Sequence, residues 1–305
     1  MIAVDLFAGA GGFTTGAEQA GANVIWAANH WRLAVDTHAA NHASTQHACQ
    51  DLHQADWSRV PHHDLLLASP ACQGHSHARG RDRPHHDAAR STAWAVVSAA
   101  EYHRPAFAII ENVPEMLDWT LYPAWKMAME SLGYTLSPHT CDAADHGVPQ
   151  HRVRLFIVAS RSQSPIHLKL PRRPLAPVRP IIQWDAHRWN PLCKPGRSKA
   201  TLARVKRGRE AFGEHFVMPY YGSGSGLTGR SLDRPLGTVT TRDRWAVVAG
   251  DKMRMLQPDE YQAAMGFPDS YVLPVGSRKQ AIHLLGNAVC PPVAKDLVSA
   301  LIAAA

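Results

Sequence analysis

Three features are scarce in this 305-residue chain, and each scarcity removes a class of protein. The first is paired cysteine. The five cysteines, at 49, 72, 141, 193 and 290, are odd in number and form no CxxC pair. That argues against a disulfide framework and a structural zinc site and fits a reducing compartment, so a cytoplasmic location is expected. The second is long hydrophobic runs. The apolar stretches are far shorter than the roughly 20 residues of a membrane span, and no membrane association is expected. The opening MIAVDLF has no charged leader and no extended apolar segment, so no signal peptide is expected. The third is metal-ligand spacing. Histidine is abundant, at 19 residues, and clusters in PHHD (61–64), GHSH (74–77) and RPHHD (83–87), yet no HExxH-like pattern occurs. These histidines read as solvated loop residues, and no metal is expected.

The chain is 45% hydrophobic, enough for one large domain with its own core and a smaller appendage. Its formal net charge of +7 makes a polyanionic partner plausible, although a mild excess of basic residues is weak evidence alone. In the first half, short apolar runs at 2–7, 23–28, 64–68, 107–112 and 153–160 read as buried strands. Helical spacing occupies 13–20, 32–40, 88–103 and 121–132. Strands alternating with helices imply an α/β fold, a largely parallel sheet covered on both faces. Ligands of such sheets bind beyond the carboxyl ends of the strands, and Phe7, Cys72 and Glu111 fall there.

The character of the chain changes near residue 160. Prolines crowd 161–197 and periodicity disappears. KATLARVKRGREAFG (199–213) then reads as a short basic helix, YYGSGSGLTGR (220–230) as a glycine-rich loop, and GTVTTRDRWAVVAG (237–250) as β-like. The tail, 277–304, is apolar and helical again and is expected to return to the first sheet. The expected division is therefore 1–160 plus 277–305 as one domain and 161–276 as a smaller β- and loop-rich one.

Several segments carry chemistry. DLFAGAGGFTTG (5–16) follows a strand and opens a helix, and its glycines permit a tight turn and close approach to a ligand. Such turns serve both nicotinamide and S-adenosylmethionine sites. The G-A-G-G order, and Phe7 inside the turn where a ring can lie on an adenine, favour the latter. SPACQGHS (69–76) sets Cys72 just past a strand end; a lone cysteine there is more often structural than catalytic. Glu111 ends an apolar strand, where burial raises a carboxyl pKa and lets it carry a proton at neutral pH. QHRVR (150–154) places Arg152 and Arg154 on one face of an extended segment, and LLGNAV (284–289) puts an amide after a glycine turn.

Taken in order, DLFAGAGGF, SPACQGHS, ENV, GVPQHRVRLF, RPLGTVTTRDR and GNAVCPPVA resemble the motifs of the DNA (cytosine-5)-methyltransferases of bacteria and phages, from Asp5 to Ala294. The resemblance implies a Rossmann-like S-adenosylmethionine-dependent core with a smaller recognition domain in the unmatched stretch, about 161–233. It implies Cys72 as nucleophile toward cytosine C6, Glu111 as the group holding N3 and the exocyclic amine, Arg154 at O2 or orienting Glu111, and Arg152 at the target backbone or the nucleophile loop. Attack at C6 makes C5 nucleophilic, and the base must leave the duplex to be reached. For the cofactor the resemblance implies Phe7, Gly9, Gly12, His30, Trp31, Asp51, Asn287 and Val289. Gln73, Ser76, Lys206, Arg207, Tyr221 and Ser223 are candidates for contacting double-stranded DNA. A monomer is expected, with a cognate restriction endonuclease, where there is one, acting separately.

The sequence departs from the family pattern twice. The residue before the nucleophile, usually proline, is Ala71, with Pro70 one place earlier. The glutamate expected after the second strand, which bonds the ribose, is His30 in WAANHW. Alternatives are a nicotinamide-dependent oxidoreductase, a non-catalytic DNA-binding relative, transfer of a variant group from a modified cofactor, and tRNA cytosine-5 methylation, whose Cys-Phe-Thr signature is not found. The DNA sequence recognised is not legible.

Overall fold

The computed structural model describes residues 1–71, 84–220 and 229–305. Its larger sheet comes from β1 (Ile2–Leu6), β2 (Asn23–Asn29), β3 (Gln46–Cys49), β4 (Leu65–Ala68), β5 (Phe107–Asn112), β6 (Thr135–Asp142) and β7 (Val153–Ser160). Helices α1 (Gly12–Gln19), α2 (Arg32–Asn41), α3 (Pro84–His103) and α4 (Tyr122–Ser131) connect them. The strand order is β3-β2-β1-β4-β5-β7-β6. The first five run parallel, and β7 is antiparallel to both neighbours. Central strands such as LLLA (65–68) are buried on both faces, as a sheet covered on two sides requires.

Two of these strands were not legible in the sequence. β3 is QHAC, four residues without an apolar run, held by its pairing with β2. β6 contains Pro138, which its place at the sheet edge tolerates.

The smaller sheet is antiparallel, ordered β10-β9-β11-β12-β8. Its strands are β8 (Asn190–Pro191), β9 (His215–Pro219), β10 (Arg230–Ser231), β11 (Trp245–Ala249) and β12 (Lys252–Met255), with α5 (Lys199–Phe212) preceding β9. Only 245–249 of the β-like 237–250 stretch is strand. The tail is two helices, α7 (Arg278–Asn287) and α8 (Pro291–Ala304), divided where Pro291 opens the second.

The tail does return to the larger sheet. α8 lies against α1, where a side chain on Gly16 would strike Pro291 and Ala294. The stretch after β12 also leans that way. α6 (Pro258–Ala264) receives the Gln150 amide on the Ala264 carbonyl at 3.0 Å, and the Tyr271 hydroxyl donates to the Ala10 carbonyl. One apolar core therefore runs from Phe13 of α1 through Tyr261 to Val217 and Val247 of the smaller sheet. No helix among the described residues is long and apolar enough to cross a membrane.

Candidate active site

The order of the larger sheet reverses between β1 and β4, so the chain leaves these neighbours in opposite directions and opens a crevice at their carboxyl ends. A cavity of about 200 Å³ lies there. Phe7 and Gly9 follow β1, Asn29, His30 and Trp31 end or follow β2, Ser69 to Ala71 follow β4, and Glu111 lies near the end of β5; all line it. The turn after β1 is sharply bent. Phe7 has φ 60°, an unusual value for a residue with a side chain, and Gly9 follows at 56°.

One end of the cavity is ionic. Glu111 is buried, and its Oε1 lies 3.2 Å from Nε of Arg154. Burial pushes the Glu111 carboxyl above its ordinary value, outweighing the opposing pull of Arg154 and then Arg152. Both arginines line the cavity, as the one-face reading of QHRVR requires. They differ in task. Arg152 is 3% exposed, and its guanidinium donates to the carbonyls of Val239 (2.9 Å), Gly286 (3.0 Å) and Ala288 (3.0 Å). These three bonds brace the guanidinium against the backbone around Val239 and at the end of the helix that carries Gly286.

The other end is aromatic and open. Trp31 precedes α2, its ring edge-on to His283 at 5.3 Å, and its backbone N–H donates to Asn29 Oδ1 at 2.9 Å. His30 is exposed, and Asn287, also exposed, closes the rim from α7. Asp51 does not line the cavity. It follows β3 and caps a short 3₁₀ turn, its Oδ1 accepting from the His53 amide (3.0 Å) and ring (2.9 Å), which holds its carboxyl below the usual range. Gly12 and Val289 do not line it either. Gly12 is buried, and a Cβ there would collide with the Val289 carbonyl, so the two let α1 and the C-terminal segment pack backbone to backbone. The mixture of open aromatic faces, a glycine turn and a rim amide suits a nucleoside with an amino-acid tail, the chemistry of S-adenosylmethionine. Among the described residues no group of three or more His, Cys, Asp or Glu is placed to hold a metal ion.

Cys72, Gln73, Ser76, Tyr221 and Ser223 lie outside the described residues. The backbone leading to Cys72 is described. The Asn112 amide donates to the Pro70 carbonyl at 3.3 Å, and the Ala71 N–H donates to the Thr92 hydroxyl at 2.9 Å. Sequence reasoning missed Thr92; its signal lay only in the unusual Ala71. On α5 the basic residues divide. Arg204 donates to the Pro219 carbonyl at 2.6 Å, and Arg209 to the Gly250 carbonyl at 2.6 Å and to Asp251 at 3.0 Å. Lys206 and Arg207 are exposed.

Comparison with known proteins agrees with this geometry. The C-5 cytosine-specific DNA methylase family matches residues 1–187 and 181–303. The Type II methyltransferase M.NlaX of Neisseria lactamica is 26% identical over 99% of this chain and 96% of its own length. M.MspI of a Moraxella species is 25% identical over 95% of this chain and 68% of its own. Among solved structures, the Entamoeba histolytica methyltransferase EhMeth superposes with a TM-score of 0.71 at 16% identity, covering 99% of this chain and 98% of the other. Dnmt2 of S. pombe gives 0.69 at 15%, with the same coverage. With motifs, fold and sequence relatives in agreement, the chain belongs to the C-5 cytosine-specific DNA methylase family, and it methylates cytosine in DNA with S-adenosylmethionine as methyl donor.

Proposed function

We propose that the chain methylates C5 of a cytosine flipped out of double-stranded DNA, through a transient bond between Cys72 and C6. The observation that carries this reading is a juxtaposition. Ala71, the residue before Cys72, lines the same cavity as buried Glu111 and its partner Arg154. In the first step Cys72, as the thiolate after loss of its proton, bonds to C6; the pair of the C5–C6 double bond shifts to C4–C5, and the C4–N3 pair moves onto N3. Glu111, its proton affinity raised by burial, gives a proton to N3 and holds the exocyclic amine, which stabilises the charge that attack creates. Arg154 keeps Glu111 in place and reaches O2. S-adenosylmethionine, when bound, supplies an electrophilic methyl group at this end of the cavity. C5 takes that methyl, the electron pair of the broken sulfur–methyl bond staying with the donor; C5 then loses its proton to a base, the returning electron pair expels the Cys72 thiolate, and N3 releases its proton. A base inside a duplex cannot enter the cavity, which is why flipping belongs to the proposal.

Phe7, Gly9, His30, Trp31 and Asn287 hold the cofactor, with Asp51 at its outer edge and Gly12 and Val289 shaping the turn by packing. Residues 1–160 with 277–305 form the catalytic unit, and 161–276 read DNA, with Lys206 and Arg207 on phosphates. Gln73, Ser76, Tyr221 and Ser223 complete the DNA contacts. The Type II names of the relatives support a restriction–modification setting, with a monomeric methyltransferase in the cytoplasm acting separately from any endonuclease.

The test uses DNA containing 5-fluorocytosine. Fluorine at C5 blocks the final elimination, so the wild-type protein should be trapped on DNA as a covalent adduct. Cys72→Ala should bind DNA, form no adduct and transfer no methyl group. Methylation by Cys72→Ala would overturn the covalent route.

A further inference from the structure

The peptide before Cys72 is gripped from two sides. Asn112, at the end of β5, holds the Pro70 carbonyl, and Thr92, on α3, accepts the Ala71 N–H. Thr92 is delivered by a rigid element. The residues that follow it on α3, Ala93, Ala95, Val96, Ala99 and Ala100, are all buried, and the Trp125 indole donates to the Ala93 carbonyl at 2.9 Å.

The second grip exists only because residue 71 is not proline. A proline has no N–H to donate, and its ring fixes φ by itself. Alanine at the same place frees φ and exposes a donor, leaving one more backbone torsion to be ordered next to the reacting sulfur. A hydrogen bond from that donor to a side chain on a buried helix restores the restraint by other means. We propose that Thr92 is a positioning residue for the nucleophile, its hydroxyl doing by hydrogen bond what a proline ring does by covalent geometry. The missing proline and a hydroxyl set where the alanine N–H can reach it then explain each other. The inference rests on Cys72 being the nucleophile.

The experiment is a double-mutant cycle between positions 92 and 71. Thr92→Val keeps the shape and removes the acceptor; it should lower kcat, and the rate of 5-fluorocytosine adduct formation, roughly three- to tenfold, with KM for DNA little changed. Thr92→Ser keeps the oxygen and should restore most of the loss. In an Ala71→Pro background, at whatever rate that variant works, Thr92→Val should cost nothing further, because there is no N–H left to hold. An unchanged kcat in Thr92→Val would overturn the proposal. So would an equal loss in both backgrounds, which would place the action of Thr92 elsewhere. If Ala71→Pro does not fold, the comparison of serine with valine at position 92 decides: equal losses refute the role. Failure of the Cys72 reading is distinguishable, because Cys72→Ala would then keep its activity.

Discussion

Asp5 lies in the middle of the larger sheet, on a strand flanked by β2 and β4, and is fully buried. Its Oδ2 accepts from the Thr14 hydroxyl at 2.8 Å, while Oδ1 is buried with no hydrogen-bond partner among the described residues. Burial pushes this carboxyl from 3.8 up to about 7, the Thr14 bonds opposing only in part. The folded chain therefore keeps the Asp5 proton to higher pH than the unfolded chain does. The stability this contributes is whole below about pH 3.8 and drains away as pH climbs through about 7. At about 1.4 kcal/mol per pH unit the full loss is about 4 kcal/mol, of which about 2–3 kcal/mol falls between pH 5 and pH 8. Asp5→Asn removes the titration and keeps an oxygen for Thr14. Its amide N–H₂ is itself poorly satisfied there, at a cost independent of pH, so the measured quantity is the change in the gap between the two proteins. Thermal melts of both at about pH 5 and about pH 8 should show the variant gaining roughly 4–6 °C on wild type across that interval, at roughly 2 °C per kcal/mol for a chain of this size. Differencing removes groups that titrate alike in both. A gap that stays constant with pH would refute the assignment of a buried, proton-holding carboxyl to Asp5.

Two further outcomes are expected. Neutralising exposed Lys206 and Arg207 to glutamine should lower the slope of log affinity for DNA against log salt by roughly one for each phosphate released, measured by fluorescence anisotropy; an unchanged slope would make this face of α5 merely solvated. His30→Glu should tighten S-adenosylmethionine binding roughly fivefold by calorimetry, since a carboxylate accepts from both ribose hydroxyls and a neutral imidazole has a single acceptor nitrogen; weaker binding would place the ribose elsewhere.

The framework of the larger domain was legible because its central strands are buried on both faces and must be nearly continuous in apolar residues. IAVDL, LLLA and FAIIEN can be recognised without a neighbour. β3 and β6 were hidden for the opposite reason: edge position relaxes that demand, so their residues are polar or include proline. Among the cavity-lining residues, Phe7, Glu111 and Arg154 were legible from their residue types and their places at strand ends. The burial of Arg152 was not, since its acceptors are backbone carbonyls of residues 239, 286 and 288, which leave no side-chain signature. For Gly12, a glycine needed for ligand approach and one needed for helix packing read alike until Val289 is seen above it. The basic run on α5 divides for the same kind of reason. Whether an arginine meets phosphate or a carbonyl of its own chain depends on neighbours such as Pro219 and Gly250 that spacing does not encode.

The position of Arg152 bears on how the proposed recognition and catalytic units are joined. Gln150 and Arg152 come from the segment that leads into β7, and both reach the stretch after β10. The Gln150 side-chain oxygen accepts from the Val239 N–H at 2.6 Å, and Arg152 donates to the Val239 carbonyl. The same guanidinium holds the Gly286 and Ala288 carbonyls at the end of α7, where Gly286 lies so close to the Thr240 backbone that a Cβ would collide with it. Three stretches remote in sequence thus meet at one buried cation, and backbone contacts leave little slack there. Arg154, two residues further on the same strand face, carries Glu111. A displacement of residues 237–240 would have to break these bonds or move the segment that leads to Arg154. Holding those residues still is therefore part of holding Glu111 and Arg154 in the geometry that the proposed cytosine chemistry requires.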